Sequence, residues 1–536
     1  MRAGWYILLV FLAVSCANRV TPTGGDKDVT PPKLLSAEPE NGTVDFKAKE
    51  IRLEFDEYVQ LNDLQAQLFV SPLTSSMPKV TVGKKALVVE VPDSLEPNTT
   101  YTINFGKAIT DVHESNPLED FRYVFSTGSF IDSLTLSGEV RNAGDLEGAK
   151  GITVMVYRKT AVMDDSLPFK ERPLYFSRTN DKGIFRIFNM RAGEYQVYAV
   201  EDKNGNFKCD SPSDELFGFL PSSVTLPGDS IISMKVWQEY PEKARVTKMM
   251  KLNRRSAAVA FNKPGTDYRL MTINGVMVND SAIRRSSLGD TLTWFAMNNE
   301  DSMILLAAVD TLVLDTVRLS LLTEKGVKES PLKNRWFTRN TPLQNGPSGK
   351  VVLQSAHPLG KDSIFVLFQE DSSKAVKLPL NVTDARLGLA ELMYPWKETS
   401  TYTLKLIPEE TKDIFGASAD TTVIRFKVPD EQSTASLSLK AEGLQSGSSY
   451  LVQLLSEKSD IIKSWVITGD TTINCKYLQS VTARIKVIND RNADGRWTPG
   501  RYLTKQLPEP VWFHADPVTL RANWELELVV RPEFKK

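Results

Sequence analysis

The chain has 536 residues, 41% hydrophobic and 24% charged, an ordinary globular composition at a length that holds roughly three to five domains. Lys and Arg number 65 against 66 Asp and Glu, so the formal net charge of -1 lacks the basic excess that a phosphate backbone demands, and no nucleic acid partner is expected. Three cysteines exclude a disulfide scaffold, and the three scattered histidines, His113, His357 and His514, write neither a His-rich metal site nor a His-centred triad.

Arg2 is followed by an apolar run from Trp5 to Val14, the length of a signal-peptide core and short of the roughly 20 residues that span a bilayer. Residues 1–15 therefore read as a signal peptide. The run ends in Leu12-Ala13-Val14-Ser15-Cys16, which resembles the lipobox of bacterial lipoproteins. That resemblance implies lipidation of Cys16, with acyl chains that anchor the protein to a membrane at about 0.8 kcal/mol per buried methylene. The alternative is an ordinary cleaved signal peptide. A Pro/Gly/Thr-containing leash, 16–30, follows as the lipidated tether. Cys209 and Cys475 remain, and nothing in their spacing argues for a bridge.

From 31 to 128 the pattern is one of short strands between turns. Ile51-Arg52-Leu53-Glu54-Phe55, Leu87-Val88-Val89-Glu90-Val91 and Tyr101-Thr102-Ile103-Asn104-Phe105 alternate with a period of two. Together with Asp28-Val29-Thr30-Pro31-Pro32, Leu95-Glu96-Pro97-Asn98-Thr99-Thr100-Tyr101, Asp111 and Phe125-Ser126-Thr127-Gly128, they resemble the bacterial Ig-like domains of S-layer proteins. Next, 134–237 contains Ser137-Gly138-Glu139-Val140, a hairpin signal at Asp181-Lys182-Gly183, and the strand Tyr195-Gln196-Val197-Tyr198-Ala199-Val200 after Ala192-Gly193. This segment is similar to the carboxypeptidase-regulatory-like, or prealbumin-like, β-sandwich.

Residues 239–341 read as a β-sandwich of no recognised family, with strands at Ala257–Phe261 and Met303–Leu306. The segment 349–429 repeats the Ig-like pattern in diverged form. Thr401-Tyr402-Thr403-Leu404 answers Thr100-Tyr101-Thr102-Ile103, Asp413 answers Asp111, and Tyr101 to Phe125 and Tyr402 to Phe426 both span 24 positions. Both tyrosines fit the tyrosine corner, a buried ring whose hydroxyl bonds nearby backbone. The last segment, 434–536, reads as a diverged prealbumin-like β-sandwich, its strand Ala483–Ile488 running into Asn489-Asp490 as Val197–Val200 runs into Glu201-Asp202. The expected fold class is all-β, tandem Ig-like and prealbumin-like sandwiches behind a lipoprotein signal peptide.

Two loops carry oxygen side chains at alternate positions: Asp202, Asn204 and Asn206 with Asp210, and Asp490, Asn492 and Asp494 with Gly495. Such spacing suits Ca2+, which takes six to eight oxygens. The same residues suit Asx turns that cap their own backbone. Neither loop completes an EF-hand pattern, since Arg501 stands where the bidentate carboxylate belongs in the second and Phe207 where the glycine belongs in the first. No cofactor is required by anything else in the chain. Gly346-Pro347-Ser348-Gly349-Lys350 lacks Walker spacing and reads as a linker, and Arg245, Lys248, Lys251, Arg254 and Arg255 read as a solvated face. The acidic pairs Asp56-Glu57 and Glu409-Glu410 have no evident acid/base partner.

The functional expectation is a noncatalytic lipoprotein, anchored through Cys16 to the outer membrane on its periplasmic or surface-exposed side, that scaffolds or binds another envelope component, a protein or a glycan. A carbohydrate-binding surface lipoprotein using Trp497, Trp512 or Trp524 as a stacking platform is the alternative. An enzyme with an unrecognised site ranks third.

Overall fold

The computed structural model describes residues 28–160, 164–253, 255–265, 267–296, 302–309, 312–320, 334–341, 346–360 and 364–534. Cys16, with the signal segment and most of the tether, lies outside the described residues, as does Arg254. The chain is all-β: strands run from Leu34–Glu38 to Glu525–Val530, interrupted among the described residues only by single helical turns. No helix among the described residues is long and apolar enough to cross a membrane. Five hydrophobic cores follow one another along the chain, built around Phe55 and Phe125, Val154 and Tyr195, Val259 and Trp294, Val366 and Tyr402, and Leu439 and Ile485.

In the first unit, Glu50–Phe55 buries Ile51, Leu53 and Phe55 and exposes the residues between them, as its period-two pattern requires. The sheet order is Leu34–Glu38, Glu50–Phe55, Ala86–Glu90, Lys79–Val82, and a facing sheet pairs Phe69–Ser71, Thr100–Asn104 and Arg122–Ser126. The 24-residue spacing has a simple cause. Tyr101 sits directly opposite Phe125 on the neighbouring strand, and Tyr402 opposite Phe426, each pair with stacked rings. The Tyr101 hydroxyl accepts from the Glu96 amide at 2.8 Å and the Tyr402 hydroxyl from the Lys397 amide at 2.9 Å, so both corners form. Asp111 accepts from the amides of Glu114, Ser115 and Asn116, and Asp413 from those of Phe415 and Ala417. Because Glu96 is exposed and its freed amide reaches water, Tyr101→Phe is expected to cost only about 1 kcal/mol in denaturant unfolding, with the slope unchanged.

In the fourth unit the strand Val376–Asp384 pairs with Ile364–Glu370 at one end and Leu389–Leu392 at the other, so both layers merge into one seven-stranded sheet. One boundary differs from the sequence reading. Trp336–Asn340, assigned to 239–341, pairs with Val351–Ser355, and Trp336 lies in the fourth core. The Pro/Gly-rich stretch after it connects two partner strands of one sheet, so turn composition alone misplaces the border.

The second and fifth units share one strand order. Leu134–Asn142 lies between antiparallel Ile184–Met190 and parallel Ile231–Val236, and Ala435–Ala441 lies between antiparallel Thr471–Leu478 and parallel Glu525–Val530. Each facing sheet has five strands, ordered Tyr175–Arg178, Thr153–Arg158, Gly193–Val200, Phe217–Phe219 in one and Ile461–Ile467, Tyr450–Ser456, Val481–Asn489, Val511–Phe513 in the other, with Val224–Leu226 and Val518–Leu520 off the path. Gly183 sits at φ +77°, the left-handed turn conformation that glycine adopts without steric cost. The third unit pairs Ser256–Phe261 with Val246–Asn253 and Thr291–Phe295, and Ser302–Val309 with Tyr268–Thr272 and Leu312–Ser320.

Candidate functional site

The second and fifth units, far apart in sequence, meet in space. A tight turn closed by reciprocal backbone hydrogen bonds between Arg501 and Gln506 puts Tyr502 at its tip, with Lys505 at φ +53°. The ring enters a socket of the second unit made by Phe169, Tyr198, Phe217 and Phe219, with ring centroids 5.1 to 5.9 Å away. Tyr502 is 1% exposed. Its hydroxyl donates to the Asp165 carbonyl at 3.1 Å, which leaves the Tyr198 hydroxyl, 3.1 Å away, to donate to it. Its amide donates to the Glu239 carboxylate at 2.6 Å. Burial pushes the Tyr502 phenol far above its ordinary range, so it stays neutral. Ion pairs ring the plug: Lys505 with Asp165 at 2.7 Å and Arg484 with Glu147 at 3.2 Å. Gly500 lies so close that a Cβ there would sit 2.7 Å from the Trp237 ring.

Beside this plug a cleft of about 1030 Å³ opens between the two units. On one wall Met234 and Val236 turn into the second core, so Ser233 and Lys235 of the same strand face outward with Glu139 and Arg141 of its neighbour. On the other, Ile485 and Val487 turn into the fifth core and Arg484 and Lys486 face outward. Trp512, Phe513, His514 and Phe534 supply ring surface. Burial lowers the pKa of both Lys235 and Lys486, with Asp145 partly offsetting this at Lys486.

The two acidic loops are organised by their own backbone. Asp202 accepts from the amides of Gly205, Asn206 and Phe207, and the side-chain amides of Asn204 and Asn206 donate to Asp210 at 2.6 and 3.0 Å. Asp490 accepts from the amides of Asp494 and Gly495 and from the Ser449 hydroxyl, while Asn492 donates to Asp494 and Thr498. Glu215 and Glu509, each two residues before a strand, close their loops on the amides of Asp210 and Thr498. Among the described residues no group of three or more His, Cys, Asp or Glu side chains is placed to hold a metal ion.

The second loop is also a junction. Arg496 donates to the Leu288 and Ser287 carbonyls of the third unit, and Trp497 packs on the core cluster that surrounds Tyr502 while its indole donates to Glu509. Of the other tryptophans, Trp465 and Trp512 are half-buried against the fifth core, and Trp524 is 62% exposed with Arg521 over its ring.

Remaining features resolve into packing. Lys350 pairs with Glu391 at 2.8 Å, Arg255 lies over the Phe415 ring, and Glu410 pairs with Lys377. His357 is buried with Asp413 at 2.5 Å, wedged between Phe295 of the third unit and Phe415. Cys209 is buried, with its thiol pushed up chiefly by that burial, and Cys475 is half-buried; both are free. Tyr502 and its socket were not legible from spacing.

Residues 28–127 match the family model for the bacterial Ig-like domain. No curated protein matches the chain. Among solved structures, the chain is similar to native Escherichia coli alpha-2-macroglobulin spanning domains MG0-NIE-MG1, at 11% identity and a TM-score of 0.19, over 47% of this chain and 95% of that one. The major pilin subunit BcpA of Bacillus cereus aligns at 8% identity and a TM-score of 0.15, over 75% and 100%. Domains 1–6 of the surface layer protein SbsC align at 11% identity and a TM-score of 0.14, over 92% and 67%. The first unit is thus a bacterial Ig-like domain in an all-β chain of tandem sandwiches.

Proposed function

We propose that this is a noncatalytic envelope lipoprotein, held at the outer membrane through Cys16, that scaffolds or binds another envelope component. The observation that carries the reading is the closure of the fifth unit on the second by Tyr502, which braces a row of sandwiches and gives two of them a shared cleft. Sandwich faces and loops held this way present surface to a partner. The second and fifth units are prealbumin-like sandwiches in this reading, supported by their common strand order.

The test is mild-detergent purification from native membranes beside a Cys16→Ser form, followed by mass spectrometry of what accompanies each. The unchanged protein is expected in the membrane fraction with a stoichiometric companion, and the Cys16→Ser form in the soluble fraction without it. Recovery of both forms from the same fraction, alone, would overturn the reading. Carbohydrate binding is the second reading, favoured by Trp512, which is half-exposed on the cleft wall.

A further inference from the structure

The second and fifth units share one strand order but differ at one edge. Each larger sheet ends in a short strand, Phe217–Phe219 in the second unit and Val511–Phe513 in the fifth. In the second, the Glu201 and Leu220 amides bond to the Leu216 and Val197 carbonyls, so Phe217 and Phe219 turn their own amides and carbonyls outward. The chain leaving Ile231–Val236 meets that edge: Phe217 and Trp237 exchange both backbone hydrogen bonds, at 2.9 and 3.0 Å. Gly218 permits the approach, since a Cβ there would lie 2.1 Å from the Lys235 carbonyl oxygen.

In the fifth unit the Asn489 and His514 amides bond to the Pro510 and Ile485 carbonyls, so Val511 and Phe513 hold the same outward positions. Ile488 stands opposite Val511 as Val200 stands opposite Phe217, each two residues before the first aspartate of its acidic loop, and this register sets Trp512 where the second unit has Gly218. Any side chain there excludes the approach that glycine permits, and the Trp512 indole packs on the fifth core. Arg531, which follows Glu525–Val530 as Trp237 follows Ile231–Val236, pairs with Glu442 at 2.7 Å and makes no bridge to Val511 among the described residues. Val511 and Phe513 thus present amides and carbonyls on the cleft wall with no hydrogen-bond partner among the described residues, although Val511 is buried. Backbone groups so placed are costly unless something pairs with them. Phe219, Leu220 and Trp237 give the facing wall an apolar surface, and the charged lining balances, four carboxylates against four lysine and arginine side chains. Two outward amide and carbonyl pairs about 6.8 Å apart match the repeat of an extended main chain, and balanced charge matches a segment with none overall.

We propose that the open edge at Val511–Phe513 takes up an extended segment of a partner polypeptide, without net charge, as an added β-strand in the place that Trp237 holds in the second unit. This names the partner as a protein and rests on the scaffold reading above.

The probe is a labelled, end-blocked peptide with the sequence of residues 234–240, Met-Lys-Val-Trp-Gln-Glu-Tyr, which contains the segment seated on the matching edge and whose lysine and glutamate cancel. Fluorescence anisotropy with the detergent-solubilised full chain is expected to show saturable binding, and hydrogen exchange at the Val511 and Phe513 amides is expected to slow at least about tenfold. The same peptide N-methylated at its tryptophan is expected to bind at least about tenfold more weakly. Phe513→Pro removes an outward N–H on an edge strand, where proline is tolerated, and is expected to weaken binding as much, whereas Phe513→Val keeps the N–H and is expected to stay within about threefold of the unchanged chain. Equal binding by the methylated peptide, or by a folded Phe513→Pro chain, would overturn strand addition, and if that variant does not fold the methylated peptide decides. No peptide binding would also overturn it, while a companion lost with Cys16→Ser would leave the scaffold reading standing. Cellotetraose binding in place of the peptide would overturn it in favour of a glycan.

Discussion

Tyr502→Ala is expected to separate the fifth unit from the second without unfolding either. Emptying a fully buried aromatic site costs about 3 to 5 kcal/mol, and here the loss falls on a junction, since Leu439, Ile485 and Val487 hold the fifth core independently of the plug. The alanine also leaves the Tyr198 hydroxyl without its acceptor inside the socket and removes the ring face under the Lys505 ammonium, which sits 3.4 Å from the Tyr502 ring centroid. Calorimetry should then show a new low-temperature transition, and trypsin should cut at Arg501 or Lys505 well before it cuts elsewhere. Tyr502→Phe keeps the ring and loses the hydroxyl's two hydrogen bonds, so an intermediate loss of about 1 to 3 kcal/mol is expected. A melt unchanged by the alanine would mean that the two units are held by something other than this plug.

Gly138→Ala is expected to be the costliest small substitution in the chain. Gly138 pairs with Ile232 across a parallel ladder, and a Cβ there would lie 2.0 Å from the Ile232 carbonyl oxygen. Gly218 approaches the same strand from its other side, where a Cβ would lie 2.1 Å from the Lys235 carbonyl. Ile231–Val236 is thus clasped between two glycines, and a methyl group on either must push backbone rather than turn a side chain. A loss of about 3 kcal/mol, the upper end for overpacking, is expected in urea unfolding. Gly205→Ala is the control: at φ +72° with open space around it, only backbone strain of about 1 kcal/mol applies. Equal losses in the two variants would remove the close-approach explanation.

What the sequence made legible is what local physics dictates. Alternation in Ile51–Phe55 names a half-buried strand, and the equal spans Tyr101 to Phe125 and Tyr402 to Phe426 name a repeat, which the structure explains as a cross-strand pair in each unit. Of the two readings of the acidic loops, the Asx turn was the one local physics could supply, because Asp202 and Asp490 reach amides only three to five residues on. Contacts between units leave no such trace. Tyr502 sits in a short exposed-looking turn, and its partners Tyr198 and Phe217 belong to a strand pattern that is complete without it. Arg501 drew attention only as the missing twelfth position of a cation loop. The border at Trp336 was misplaced for a related reason: strand pairing, not turn composition, decides to which sheet a segment belongs.

The 304 residues between Tyr198 and Tyr502 also impose an order in time. A chain made from its N-terminus at about 5 to 20 residues per second presents the socket of Phe169, Phe217 and Phe219 some 15 to 60 seconds before the plug exists. Throughout that interval the second unit carries an uncovered aromatic hollow, an exposed apolar surface open to neighbouring chains. Closure therefore reports that residues well over two hundred positions downstream have arrived and folded, and a chain stopped in its third or fourth unit would stay marked as unfinished.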